Sequence, residues 1–148
     1  MNSALVDALL LLAVCTTLHA GGLALISKLP LRWSPASIRT LTGRMRNLIV
    51  IAWCLIILHV IEIAVWAMAL FWQGCLPDME ASFYFSGVSY TTIGYGDVVL
   101  SRPWRLLGPL EGLTGILMCG LSTAFFFTAV LRIFRSTYGS GRDHDSSP

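Results

Sequence analysis

Charge is scarce in this chain. Asp, Glu, Lys and Arg make up only 12% of its 148 residues, about half the share found in soluble domains, and that excludes an ordinary water-soluble fold. Acidic residues are absent from the stretch that carries Lys28, Arg32, Arg39, Arg44 and Arg46. Cysteine is sparse as well. Cys15, Cys54 and Cys119 fall inside apolar runs, where thiols serve as small hydrophobes, so no disulfide framework is predicted. Cys75 alone falls near a water-facing edge; it reads as a free or half-buried thiol, with an intersubunit bridge as the second reading. No nucleophile and base pair, soluble-type metal cluster or phosphate loop occurs, so neither an enzyme nor a bound cofactor is expected, and nothing points to nucleic acid.

Apolar length is abundant instead. Hydrophobic residues make up 55% of the chain and the mean hydropathy is +0.72. Three stretches, 4–26, 48–72 and 106–131, approach or exceed the roughly 20 apolar residues that a helix needs to cross a bilayer. Residues 78–90 are too short to cross but apolar enough to enter, and Asp78 suits an N-cap. The basic cluster between the first two stretches marks that loop as cytoplasmic, and Arg132, Arg135 and Arg142 mark the tail likewise. The N-terminus is then outside. A cleaved signal peptide competes for residues 1–27, because Leu18-His19-Ala20 loosely resembles a cleavage site. The basic leader region is missing, however, and Asp7 sits where Lys or Arg belongs, so the first helix is read as retained. Between 31 and 47, Ser34-Pro35 looks like an N-cap followed by a first-turn proline. Either an interfacial helix follows, with Trp33 as anchor and its arginines near anionic lipids, or a plain basic loop.

The most specific segment is Thr91-Thr92-Ile93-Gly94-Tyr95-Gly96-Asp97. Gly94 and Gly96 can take positive φ without steric cost and so turn consecutive carbonyls toward one axis. Ile93 and Tyr95 are expected to point into protein and stiffen the loop. The string resembles the selectivity-filter signature of the potassium channel family, with Ile93 in the place of a valine. The resemblance covers roughly residues 48–134 and implies that family's pore unit: outer helix 48–72, re-entrant pore helix 78–90, filter 91–97 and inner helix 104–134. Residues 1–27 add a further transmembrane helix, 28–47 form the linker and 135–148 a short cytoplasmic tail. The implied fold is an all-α integral membrane protein, with three transmembrane helices, a pore helix and a filter loop, assembled as a homotetramer.

The same resemblance implies that Thr92, Ile93, Gly94 and Tyr95 coordinate K⁺ through their carbonyls, with Gly96 completing the filter. Asp97 follows at the external mouth. The pore-helix glutamate that some relatives pair with this aspartate is Val88 here, and Tyr84 aligns with the aromatic that bonds it in others. Gly115 and Gly120 resemble the inner-helix hinge segment, although close packing would use the same glycines. Pro109 is expected to kink a helix that starts at Pro103, unless the helix begins nearer Gly108. His59, Glu62 and Glu111 are ionisable at membrane depth and therefore functional candidates. His59 and Glu62, three apart, share a helix face. Glu62 and Glu111 lie at similar depth, within reach of Ser86, Ser89 or Thr91, as a structural bonding network first and a proton sensor second.

No span is rich in arginine, which excludes voltage sensing: steep voltage dependence needs several moving charges, each worth about 2.3 kcal/mol per 100 mV. The tail is too short for a ligand-binding domain, which leaves leak-like conduction or gating by pH, lipid or the filter. Passive K⁺ conduction across a bacterial inner membrane is the reading. A modulatory subunit of a larger channel and a subunit of a K⁺ uptake system are the alternatives.

Overall fold

The structure, a computed structural model, describes the backbone of residues 2–29 and 40–138 and the side chains of 5–29 and 40–135. Among these residues four α-helices follow in order: α1 (Asn2–Lys28), α2 (Leu41–Trp72), α3 (Met79–Tyr90) and α4 (Leu107–Tyr138), with a 3₁₀ turn at Arg102–Trp104 before the last. Among the described residues there is no strand. The spans Leu5–Lys28, Leu41–Trp72 and Arg102–Arg135 are each long and apolar enough to cross a membrane. At 1.5 Å per residue α2 is about 48 Å long, well beyond a hydrocarbon core of about 30 Å.

One helix start differs from the expected one, and another falls at the later of the two positions expected, next to Gly108. α2 begins seven residues before 48, because Thr40 caps it: its hydroxyl accepts from the Gly43 N–H at 3.2 Å. Apolar runs mark where a helix meets lipid, whereas caps mark where it begins. Arg44, Met45 and Arg46 therefore belong to α2 and not to a separate linker segment. The Ser34-Pro35 cap and the Trp33 anchor lie outside the described residues. α4 begins at Leu107, so Pro109 falls in its first turn, where the missing N–H has no intrahelical partner to lose. Leu110 N–H, just after the proline, reaches Leu106 O at 3.3 Å.

α1 packs against α2 and α4, and α3 sits against the same two helices. Ala8, Cys15, Trp66, Leu70, Phe85, Tyr90, Leu107 and Met118 form one core to which all four helices contribute. Ile26, Ile51, Leu55 and Ala129 form another toward the C-terminal ends of α1 and α4 and the N-terminal part of α2. α1 and α4 thus run parallel, α2 runs against both, and Lys28, Arg44, Arg46, Arg132 and Arg135 gather at one end. The surface is apolar: Leu9, Leu10 and Val14 of α1 and Ile56, Ile57 and Val60 of α2 are exposed. The interior holds polar groups, with His19, Glu62, Ser86 and Glu111 fully buried. This arrangement suits lipid as the surrounding solvent, and the chain is a multi-pass membrane protein.

Candidate functional site: the loop after α3 and the polar core behind it

Asp78 starts α3 by accepting from the Ala81 N–H at 2.7 Å, and Ser82 Oγ bonds the Asp78 carbonyl at 2.8 Å. At the other end the chain turns back on the helix. Thr92 N–H reaches Ser89 O at 3.0 Å, while Ile93 N–H and Gly94 N–H share Val88 O at 3.0 and 3.3 Å. The final carbonyls of α3 are thereby satisfied by the loop that follows.

That loop has an alternating backbone. φ is +60° at Thr92, +59° at Gly94 and +77° at Gly96, while Ile93 and Tyr95 keep ordinary negative values. Alternating the sign of φ turns successive peptide planes the same way, so carbonyls that would alternate along a strand fall on one side. The glycines take this conformation freely. Thr92 does not: a β-branched residue at positive φ is a genuine outlier, costing on the order of 1–3 kcal/mol. Sequence reasoning assigned positive φ to the two glycines only, because no local feature asks it of a threonine. Among the described residues, the carbonyls from Thr92 to Gly96 accept no hydrogen bond.

Tyr84 and Asp97 are brought together. The Tyr84 hydroxyl donates to Asp97 Oδ2 at 2.5 Å, and Oδ1 of the same carboxylate accepts from the Val98 N–H at 3.0 Å. Donation by Tyr84 holds the Asp97 carboxyl below its usual pKa, and the same bond pushes the Tyr84 phenol up. Ile93 and Tyr95, expected to point into protein, are 54% and 69% exposed on a single chain. One chain supplies no surface over them.

The buried carboxyls separate into two sites. Glu111 of α4 accepts from Ser86 Oγ of α3, a hydroxyl that also lies 2.8 Å from Ile63 O, and its second oxygen has no partner. Glu62 of α2 faces α1 instead. Its Oε1 lies 3.0 Å from His19 Nδ1, its Oε2 accepts from the Tyr90 hydroxyl, and His59 Nδ1 lies 3.5 Å from that same oxygen. Tyr90 spends its one proton on Glu62, so its oxygen accepts from His59 Nδ1 at 2.9 Å. His19 reaches onward with Nε2 to Ser122 Oγ of α4 at 3.2 Å.

His19, Tyr90 and Ser122 were not among the sequence candidates. For His19 the signal was available, since the depth rule that singles out His59 applies equally to it. Tyr90 and Ser122 gave none.

Glycine makes the close approach between α3 and α4. A Cβ at Gly115 would lie 1.9 Å from the Tyr90 carbonyl oxygen, and one at Gly112 would lie 3.2 Å from Ser89 O, whereas Gly120 has open space around it. Gly115 is a packing contact, and Gly120 is not one within this chain. Cys15, Cys54, Cys75 and Cys119 are free thiols. Burial, and then the charge of Asp7, push the Cys75 thiol up.

No curated protein and no solved structure matches the chain. A family model described as an ion channel matches residues 48–132, more than half of the chain. The match runs from the body of α2, through α3 and the alternating loop, to Arg132 in α4, with α1 outside it. With two membrane-length helices flanking a short helix and a loop of unengaged carbonyls, the chain belongs to the ion channel family, in its two-helix, potassium-channel type of pore domain.

Proposed function

We propose that the protein is a potassium-selective channel subunit, four copies of which enclose one pore for passive K⁺ flow. The observation that carries this is the alternation of φ at Thr92, Gly94 and Gly96 within Thr-Thr-Ile-Gly-Tyr-Gly-Asp. A ring of carbonyls can replace the hydration shell of K⁺, and Thr92 to Tyr95 offer consecutive ones, Thr92 adding its hydroxyl at the inner end. In this reading α3 is a re-entrant pore helix. Its C-terminal end carries about half a negative charge, which favours a cation at the adjoining loop.

Non-helical backbone is tolerated at membrane depth only when it is covered by protein or lines a watery path. The exposure of Ile93 and Tyr95 supports cover by a second copy, as does a groove of about 650 Å³ lined by Phe85, Val88, Val99, Leu113 and Ile116. Four-fold cyclic symmetry would close such head-to-tail contacts into a ring. The basic end of the bundle faces the cytoplasm, with Asp7 and Cys75 outside. Gly120, in open space, is left for an inner-helix hinge. The test is reconstitution: purified protein should run at four times its 16.2 kDa chain mass, and liposomes carrying it should pass K⁺ far faster than Na⁺. A monomer, or equal permeation by the two ions, overturns the reading.

A further inference from the structure

We propose that His19, His59 and Glu62 form a binding site for a divalent transition metal of the Zn²⁺ class, buried between α1 and α2. One donor atom from each of the three lies within 4.8 Å of the other two. The carboxylate lies between the two imidazoles, with Oε1 3.0 Å from His19 Nδ1 and Oε2 3.5 Å from His59 Nδ1, spacings of the size that ligands with bonds of about 2.0–2.1 Å to one ion keep. His59 and Glu62 are three apart on one helix, and His19 comes from the facing helix. Helix bundles build metal centres in this way, from an i, i+3 His and carboxylate pair and donors across the interface.

The donor chemistry selects the ion. Two imidazoles with one carboxylate suit Zn²⁺ and its neighbours, whereas Mg²⁺ and Ca²⁺ require oxygen ligands. Outer partners are also in place. With Nδ1 on the metal, the proton of His19 resides on Nε2 and donates to Ser122 Oγ, 3.2 Å away. Tyr90 donates to the Glu62 oxygen. Such partners fix ring orientation at metal centres. Three protein ligands leave a fourth position, and the half-open His59, 19% exposed, is the way in. The bound ion would join α1 to α2 where hydrogen bonds otherwise do so.

The test is a Co²⁺ titration of the full chain in detergent, followed by visible absorption. One ion per chain should bind with the intense ligand-field bands of a four-coordinate centre, Zn²⁺ should displace it, and Zn²⁺ should raise the unfolding temperature of the unaltered protein in a concentration-dependent way. Ser122→Ala, which touches only an outer partner, should weaken binding about 10-fold or more, and His59→Ala should weaken it further. No bands in the unaltered protein, bands accompanied by thiolate charge transfer, or an affinity unchanged in His59→Ala would each overturn the proposal. The readout is binding, so it stands or falls independently of whether the chain conducts K⁺.

Discussion

Replacing Gly115 with alanine is the sharpest single perturbation available. The added Cβ would lie 1.9 Å from the Tyr90 carbonyl oxygen and 2.8 Å from its carbon. Real Cβ contacts essentially never fall below 3.0 Å, so the backbones of α3 and α4 must separate by about 1.1 Å at this point. No rotamer change can absorb the clash, because both atoms belong to the main chain. Overpacking that side chains can absorb costs about 1–3 kcal/mol; with backbone on the opposing side we expect the upper end or more, roughly a 100-fold loss in the folding equilibrium. The displaced residue is Tyr90, two positions before strained Thr92, so ion discrimination should fall along with stability.

The control is Gly120→Ala, where nothing lies within 4 Å and exchanging glycine for alanine inside a helix favours the helix by up to about 1 kcal/mol. Thermal unfolding in detergent and the ratio of K⁺ to Na⁺ flux in liposomes read the two effects separately. If Gly115→Ala keeps both parental values, or Gly120→Ala is the more damaging of the two, the close approach of α4 to α3 is not what holds the loop.

Other outcomes follow from the polar contacts. Ser86→Ala removes the one donor to Glu111 among the described residues, whose other oxygen is already unpartnered; leaving a buried acceptor unmade costs about 1–3 kcal/mol, and a neutral result in thermal unfolding would contradict the contact. Tyr84→Phe should alter the acid limb of stability. Because Tyr84 donation depresses the Asp97 pKa, the stabilisation is complete above the ordinary carboxylate pKa and is lost as pH falls through the lower folded-state value. Without the hydroxyl the carboxyl returns toward its ordinary value, so protonation begins at a higher pH; an unshifted acid limb in a pH series of melting curves would refute this. Asp7→Asn should speed maleimide labelling of Cys75 at mildly alkaline pH, since it removes the second cause of that thiol's raised pKa while the larger one, burial, persists. Equal rates by peptide mass spectrometry would mean that Asp7 does not sit beside Cys75.

The membrane spans were legible because an unbroken apolar run of about twenty residues matches the thickness of a bilayer and little else in protein structure. Helix starts were not, since they depend on single hydrogen bonds such as Thr40 to Gly43, which a hydropathy window averages away. The same limit separates the two buried glutamates. Counting residues gives depth in the membrane but not the direction a residue faces around its helix. Counting places Glu62 and Glu111 at a similar depth, yet Glu62 meets His19 of α1 and Tyr90 at the end of α3, while Glu111 meets Ser86 in the middle of α3. That azimuth is set by how four helices rotate against one another, which no single helix encodes. Tyr84 with Asp97 was readable through the family resemblance, in which an aromatic at the Tyr84 position bonds this aspartate, and the contact is present. The depth rule marks His19 as a candidate just as it marks His59, but its partner Glu62 is 43 residues away on another helix and no local spacing pairs the two.

A threonine held at φ +60° persists only if its surroundings over-determine it, and here three independent constraints converge. From below, Val88 O and Ser89 O engage the N–H groups of residues 92, 93 and 94, fixing the loop to the end of α3. From the outer side, the Tyr84 bond to Asp97 ties the far end of the loop back to the same helix across 13 residues. From behind, α4 packs against the root of the loop: a Cβ at Gly112 would lie 3.2 Å from Ser89 O and in ordinary contact, 3.7 Å, with Thr92 Cγ2. Each constraint comes from a different part of the chain, and relaxing one leaves the other two opposing the return of Thr92 to ordinary backbone. The effects of Tyr84→Phe and Gly115→Ala on ion discrimination should therefore exceed additivity when combined, as neighbouring mutations sharing one strained element do. Strictly additive losses in a double-mutant cycle of flux ratios would show that the two supports act on different parts of the loop.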